Sequence, residues 1–361
     1  MKASSIYVGI MTGTSHDAVD VSFISIDNDI NLEYFFSKKI PKKIQSEIAL
    51  IIKNFNDKKQ NSKMLDIKLG KLFSLAFKES LAKSNISSKN IKSIALSGQT
   101  ILHLPDKKKP ISVQIGNPSF IAFDSKIPVV HDFRKTHIDL GGEGAPLVPE
   151  FHMELFKRKN EKVCVLNIGG IANYTYIDKE YFWGTDTGPG NALMDVYCQN
   201  ILNKQYDNEG NLASKGQIKT KELNKMLQND FFKKPFPKST GKEIFNLKFI
   251  PQTLVKDTKE NVLATLCELT ALTISKSIQD NKHDTSEIIV CGGGVKNLFL
   301  MNRISYHSKN KIISSEKKEL NPQAIESMAF AWLGYKRVKK IPSIVQIKNK
   351  QNVKGMLGKI F

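Results

Sequence analysis

Two stretches of this chain share one shape. Residues 6 to 27 read as a buried strand (YVGIM), a tight polar turn and a second strand with alternating faces (VDVSFISID). Residues 163 to 178, VCVLNIGGIANYTYID, repeat it around a Gly169-Gly170 turn about 150 residues later. A recurring hairpin of this kind predicts that each copy opens one of two related domains. The length of 361 residues allows this, since one hydrophobic core usually stops growing at a smaller size.

Between and after the hairpins, helical and strand patterns alternate. IQSEIALIIKNF and SKMLDIKLGKLFSLAFKESLAKSN carry apolar residues at helical spacing, and IKSIALSG is a short apolar strand. The second half continues with helical NALMDVYCQNILNK, KTKELNKMLQN, KENVLATLCELTALTISKSIQDN and PQAIESMAFAWLGYKRV, and with the buried strand SEIIVCGG. The class is therefore α/β, with a first domain over 1–133 and a second over 134–361. FFKKPFPKSTGKEIF, rich in Pro, Lys and aromatics, reads as an exposed connection. Beyond Ile341 periodicity is lost, and the tail 341–361 is expected to pack back on the first domain.

A net charge of +19 invites a nucleic-acid or anionic-membrane reading. The lysines are scattered, as in KKIPKK, KKKP and KRKNEK, and are not interleaved with aromatics that could stack on bases, so a solvated surface is favoured and no nucleic-acid partner is expected. Cys164, Cys198, Cys267 and Cys291 lie far apart without a C-x-x-C pair, giving neither a zinc site nor a disulfide framework. No stretch approaches the roughly 18 to 20 apolar residues of a membrane helix, and the first residues lack an h-region, so a cytoplasmic protein with no membrane partner is expected.

Three glycine-rich turns carry candidate chemistry. In GTSHDAVD (Gly13, Thr14, Ser15, His16, Asp17, Ala18, Val19, Asp20), Gly13 lets the backbone approach a phosphate, and Thr14 and Ser15 add hydroxyl donors. Asp17 and Asp20 suit a hydrated magnesium that bridges carboxylate to nucleotide phosphate. Alone, such a stretch reads as a polar hairpin turn. CGGGVKN places Gly292, Gly293, Gly294 and Asn297 at the C-terminal end of a buried strand where a helix begins, the usual ligand position in open α/β sheets. It does not match a dinucleotide fingerprint, and no P-loop occurs. GTDTGPGNALMD sets Asp186 in a glycine-proline turn before a helix whose cap position is better filled by Asn191, leaving Asp186 for function. HDFRKTHIDLGGEGAPLVPEFH mixes Asp132, Arg134, His137 and Glu143 with a flexible turn, equally a ligand loop or a solvated connection.

Together, GIMTGTSHDAVDV, LSGQT, DFRKTHIDLGGEGAPLVPEFH, NIGGIANYTYI, DTGPGNALMD, KSTGKEIFN, CGGGVKN and ESMAFAWLG, in this order over nearly the whole chain, resemble the anhydro-N-acetylmuramic acid kinases of the sugar kinase, heat-shock chaperone and actin superfamily. The resemblance implies two ribonuclease-H-like domains with an active-site cleft between them. It implies that the first hairpin grips ATP phosphates, that Gly169 and Gly170 do so from the other domain, and that the late glycine turn holds adenosine. It further implies MgATP-dependent conversion of 1,6-anhydro-N-acetylmuramate to N-acetylmuramate 6-phosphate in peptidoglycan recycling, by a homodimer, with Asp186 as the base acting on the attacking water. Arg134 and Glu326 are the implied sugar contacts, with Asp132 and Gly188 beside them.

The chain departs from the family pattern at His16 and Ala18, where Leu and Gly are usual, at Ser97 in place of His, and at Glu143 in place of Gln. Met11 stands where many superfamily kinases have a metal-linked aspartate, which gives that duty to Asp17 or Asp20. The alternative from another class is an ATP-hydrolysing chaperone- or actin-like protein of the same superfamily.

Overall fold

The computed structural model describes residues 4–13, 15–53, 59–105, 109–157, 161–281, 285, 287–347 and 351–361. The chain forms two compact units, Met1–Phe151 with Ala324–Phe361, and His152–Gln323. Residues 134–151 and the C-terminal stretch from 324 thus group with the N-terminal unit, whereas the sequence suggested a division at 133/134.

The first unit opens with β1 (Ile6–Thr12), buried along its whole length, antiparallel to β2 (Ala18–Ile26), which is antiparallel to β3 (Ile30–Lys39). Val19, Val21 and Phe23, the alternate residues that marked β2 in the sequence, are fully buried. Helices α1 (Lys42–Lys53) and α2 (Lys59–Ser84) follow, and Leu65, Leu69, Phe73 and Phe77 of α2 join Val21 and Phe23 in one core. β4 (Ile91–Leu96) lies parallel to β1; β5 (Gln99–Leu104) and β6 (Ile111–Ile115) form a separate hairpin. Next come α3 (Ser119–Ser125), β7 (Val129–His131) parallel to β4, α4 (Phe133–Asp139) and α5 (Pro149–Phe156).

The second unit repeats this plan. β8 (Lys162–Ile168), β9 (Ile171–Asp178) and β10 (Tyr181–Pro189) are sequentially antiparallel. α6 (Ala192–Ile201), α7 (Thr220–Leu227), α8 (Asp230–Lys233), α9 (Gln252–Val255) and α10 (Lys259–Asp280) precede β11 (Glu287–Cys291), which is parallel to β8. α11 (Leu298–Ser308) leads into β12 (Lys311–Ser314), parallel to β11. Residues of β8, β9, α6, α10 and α11, among them Leu166, Tyr174, Leu193, Leu266 and Leu300, share the core of this unit.

The chain then returns to the first unit through α12 (Ile325–Val338), β13 (Ser343–Val345), β14 (Val353–Gly355) and β15 (Lys359–Ile360). β15 pairs antiparallel with β7, so the tail whose pattern was illegible completes the first sheet. α12 lies directly on β1: a Cβ on Gly9 would stand 1.9 Å from the Ser327 carbonyl oxygen and 2.6 Å from the Ala331 nitrogen. Packing alone therefore requires Gly9.

The sheet orders are β15-β7-β4-β1-β2-β3 and β10-β9-β8-β11-β12. Each contains three sequential antiparallel strands, then two strands parallel to the first of them, which is the ribonuclease-H-like topology. The repeated hairpins are β1–β2 and β8–β9. No helix among the described residues is long and apolar enough to cross a membrane.

Candidate active site

The turn between β1 and β2 is polar and accessible. The His16 N–H donates to the Gly13 carbonyl at 3.3 Å, and His16 takes the left-handed region with φ 57°. A non-glycine residue there is uncommon. The Ser15 hydroxyl donates to the exposed Asp17 carboxylate, and the half-buried Asp20 accepts from the Ser37 hydroxyl at 2.6 Å. Ala18 and Val19 begin β2, Val19 fully buried. Thr14 lies outside the described residues.

In the second unit, the Gly169-Gly170 turn is tied to the chain after β10. The Asn191 N–H donates to the Gly169 carbonyl at 2.8 Å, and those of Gly190 and Ala192 donate to the Gly170 carbonyl at 2.9 and 3.0 Å. Asn191 occupies the N-cap position of α6, but its side chain makes no capping bond there.

Not all the glycines of these turns have a packing reason. Gly292 has φ 83°, and a Cβ on it would meet Asn167 Oδ1 at 2.4 Å and the Ile168 carbonyl oxygen at 2.7 Å; one on Gly294 would meet Ile168 Cγ2 at 2.3 Å. Both are fixed by close approach to the end of β8. Gly293 has nothing within 4 Å of a built Cβ, while Gly13 and Gly169 would make only ordinary contacts, at 3.5 and 3.6 Å or beyond. These three are glycines that the protein interior does not demand. Asn297 is engaged as the N-cap of α11, its Oδ1 accepting from the Leu300 N–H at 3.0 Å.

Asp186 is 6% exposed and lies within β10 rather than in a turn. The glycines around it mark a break in register with β9 between Asp186 and Gly188. Gly188 itself has φ 141°, and a Cβ on it would stand 2.8 Å from the Phe232 ring. The Asp186 N–H donates to the Lys238 carbonyl at 2.9 Å, and its carboxylate Oδ2 accepts from the Thr240 N–H at 2.8 Å and the Ser239 hydroxyl at 3.2 Å.

This overturns the reading of residues 231–245 as an exposed connection. Phe231, Lys238, Ser239, Thr240 and Phe245 are all buried. The Lys238 ammonium donates to the carbonyls of Phe231 and Phe232 at 3.1 and 3.3 Å and sits 4.6 and 4.5 Å from the ring centroids of Phe231 and Phe236. Burial pushes it down to about 8. A composition of Pro, Lys and aromatics resembles a loop until the rings are seen to enclose the amine. The Thr240 hydroxyl oxygen is buried with no partner among the described residues. Ser239 and Thr240 were thus missed; their only sequence signal is the KSTGKEIFN motif.

In the first unit, α4 organises the loop after it. Arg134 donates to the Gly144 carbonyl at 3.1 Å, and buried His137 accepts from the Gly144 N–H at 3.0 Å through Nδ1. Burial, with a further contribution from Arg134, pushes His137 down to about 4, so its ring is neutral and can accept. Glu143 in this loop is half-buried. Asp132 takes the N-cap position of α4 with φ 61°, and its carboxylate lies 3.3 Å from His131 Nδ1 and 3.4 Å from Lys359 Nζ. The His131 hydrogen bond, helped by Lys359 and opposed by burial, holds that carboxyl below the usual range. Glu326 is half-buried in the first turn of α12.

The described residues hold no group of three or more His, Cys, Asp or Glu side chains placed for a metal ion. All four cysteines are buried, and burial raises the thiols of Cys164, Cys198 and Cys267, which leaves them poor nucleophiles.

The family model for anhydro-N-acetylmuramic acid kinase matches residues 5–361. A gamma-proteobacterial (EBAC31A08) protein named anhydro-N-acetylmuramic acid kinase is 46% identical over 359 residues, covering 99% of this chain and 98% of that one. A Coxiella burnetii (strain Dugway 5J108-111) protein of the same name is 35% identical over 361 residues, covering 98% and 97%. Among solved structures, the activator of the 2-hydroxyisocaproyl-CoA dehydratase from Clostridium difficile aligns over 93% of this chain and 96% of its own, with TM-score 0.49 and 10% identity. On the family match and the two full-length relatives, the chain belongs to the anhydro-N-acetylmuramic acid kinase family.

Proposed function

We propose that the chain uses ATP and water to convert 1,6-anhydro-N-acetylmuramic acid to N-acetylmuramic acid 6-phosphate, in the cytoplasm, as a step of peptidoglycan recycling. Family membership supplies the substrate class. The observation that carries the chemistry is the Asp186 carboxylate, buried at a register break of β10 and gripped by two donors on one oxygen.

In this reading Asp186 takes a proton from the water that attacks C1 of the sugar. The C1–O6 bond breaks, its electron pair goes to O6, and O6 attacks the γ-phosphorus of ATP with release of ADP. A positioned general base supplies on the order of 10² to 10⁴ in rate; the phosphoryl step needs mainly alignment and charge neutralisation. Gly13, Ser15, Gly169 and Gly293 are proposed to meet the nucleotide, and the three glycines are ones at which a Cβ would make no contact closer than 3.5 Å. Arg134, Asp132, Gly188 and Glu326 are the proposed sugar-binding residues, Arg134 acting also through the loop that it holds.

Magnesium would neutralise phosphate charge. Asp17 and Asp20 are the carboxylates proposed to hold it through water, the first exposed and the second half-buried. A homodimer is the proposed assembly, and no nucleic acid is proposed as a partner. The chaperone- or actin-like alternative is not favoured, because the family match and the named relatives run the full length. ADP release measured with and without 1,6-anhydro-N-acetylmuramate tests the proposal: the sugar should raise the rate well above that of ATP alone. An unchanged rate refutes it.

A further inference from the structure

Lys238, Ser239 and Thr240 make a short ladder with two residues of β10. The Thr185 hydroxyl donates to the Lys238 carbonyl at 3.2 Å and accepts from the Lys238 N–H at 3.0 Å. The Asp186 N–H donates to that same carbonyl at 2.9 Å. Beyond the ladder, the Thr240 N–H and the Ser239 hydroxyl converge on Asp186 Oδ2 at 2.8 and 3.2 Å. At the other end the Lys238 ammonium is seated on two backbone carbonyls of 231–232 and two aromatic faces. Filling that space with an apolar side chain would avoid desolvating a charge, so a cation there needs a reason. The arrangement offers one, since the amine fixes where the next two residues lie.

We infer that Lys238–Thr240 is a positioning element for Asp186: the Ser239 hydroxyl and the Thr240 N–H hold the carboxylate's rotamer and favour its charged form, and the Lys238 ammonium anchors the segment that carries both donors. The inference rests on Asp186 being the base. Two donors to one oxygen restrict rotation about the Cβ–Cγ bond, and hydrogen bonds to a carboxylate lower its proton affinity.

The test is Ser239→Ala in the full chain, with 1,6-anhydro-N-acetylmuramate and MgATP as substrates. A hydrogen bond to a charged group is lost, so kcat should fall about tenfold while KM for ATP stays unchanged. The acid limb of kcat/KM for the sugar should move to higher pH, because the carboxylate loses a donor that favoured its charged form. Lys238→Met, which keeps the apolar stem, should lower kcat in the same way. If Ser239→Ala keeps wild-type kcat and an unmoved acid limb while Asp186→Asn is inactive, the positioning role is overturned and the base assignment stands. If Asp186→Asn is active, the base assignment itself falls. A Ser239→Ala protein that melts earlier but shows no shift of the acid limb reveals a packing role only, and also overturns the inference.

Discussion

Adding one methyl group in turn to Gly292, Gly293 and Gly294 separates what the fold needs from what a nucleotide needs. At Gly292 an alanine would have to hold φ 83°, costing about 1–2 kcal/mol. Its Cβ would also stand 2.4 Å from Asn167 Oδ1 and 2.7 Å from the Ile168 carbonyl, an overlap worth about 1–3 kcal/mol more. The sum, about 2–5 kcal/mol, lowers the melting temperature by roughly 4–20 °C for a unit of this size. Gly294→Ala meets Ile168 Cγ2 at 2.3 Å and should lose about 1–3 kcal/mol. Gly293→Ala meets nothing within 4 Å and should melt within about 0.5 kcal/mol of wild type. If the nucleotide lies against this turn, the overlap that is missing from folding reappears in binding, and an overlap of about 1–3 kcal/mol raises KM for ATP at least about fivefold. Melting curves and ATP titrations of the three variants decide the matter. A Gly293→Ala enzyme with wild-type KM for ATP would refute the nucleotide reading of the turn, and equal melting losses at all three positions would refute the packing argument.

Gly13→Ala should fold normally, because a Cβ there makes only ordinary contacts, but should weaken ATP binding measured by titration calorimetry. Thr240→Val replaces a buried hydroxyl that has no partner among the described residues, so it should raise the stability of the ligand-free protein by about 1 kcal/mol in chemical denaturation; a loss of that size would show that the hydroxyl is satisfied. Burial pushes His137 down to about 4 and His152 to about 3, so both stay neutral in the folded protein where an unfolded chain would take up a proton. The stability they preserve is complete above pH 6.5 and is lost as the pH falls towards 4 and then 3, on the order of 3 kcal/mol for His137 alone. Melting temperature measured against pH checks this, and replacing His137 by Gln should flatten the decline.

Much of the architecture was readable in the chain. Val19, Val21 and Phe23 on β2, the apolar run of β11 and the long apolar pattern of α10 announce their elements, because burial on one face leaves a period in the sequence and burial on all faces an apolar run. β15 left no such signal: two exposed residues pair with β7 through backbone alone. Asp186 was expected in a glycine-proline turn, but its glycine neighbours mark a break in strand register, and its carboxylate is buried there. Residues 231–245 misled most, since a lysine among prolines and phenylalanines looks solvated until the chain curls so that two carbonyls and two rings from the preceding seven residues surround it. Glycines give the least away. Gly9 is required by the backbone of α12, more than 300 residues further on, while Gly293 has open space, and nothing in the sequence distinguishes them.

Mass spectrometry of the sugar product formed from 1,6-anhydro-N-acetylmuramate and MgATP addresses the proposed chemistry at its centre. Water attack at C1 coupled to phosphorylation at O6 requires a product heavier than the substrate by one phosphoryl group together with the elements of water, and its formation should disappear in Asp186→Asn. A product that gains the phosphoryl group with its anhydro ring intact, or one still made at the wild-type rate by Asp186→Asn, would contradict it.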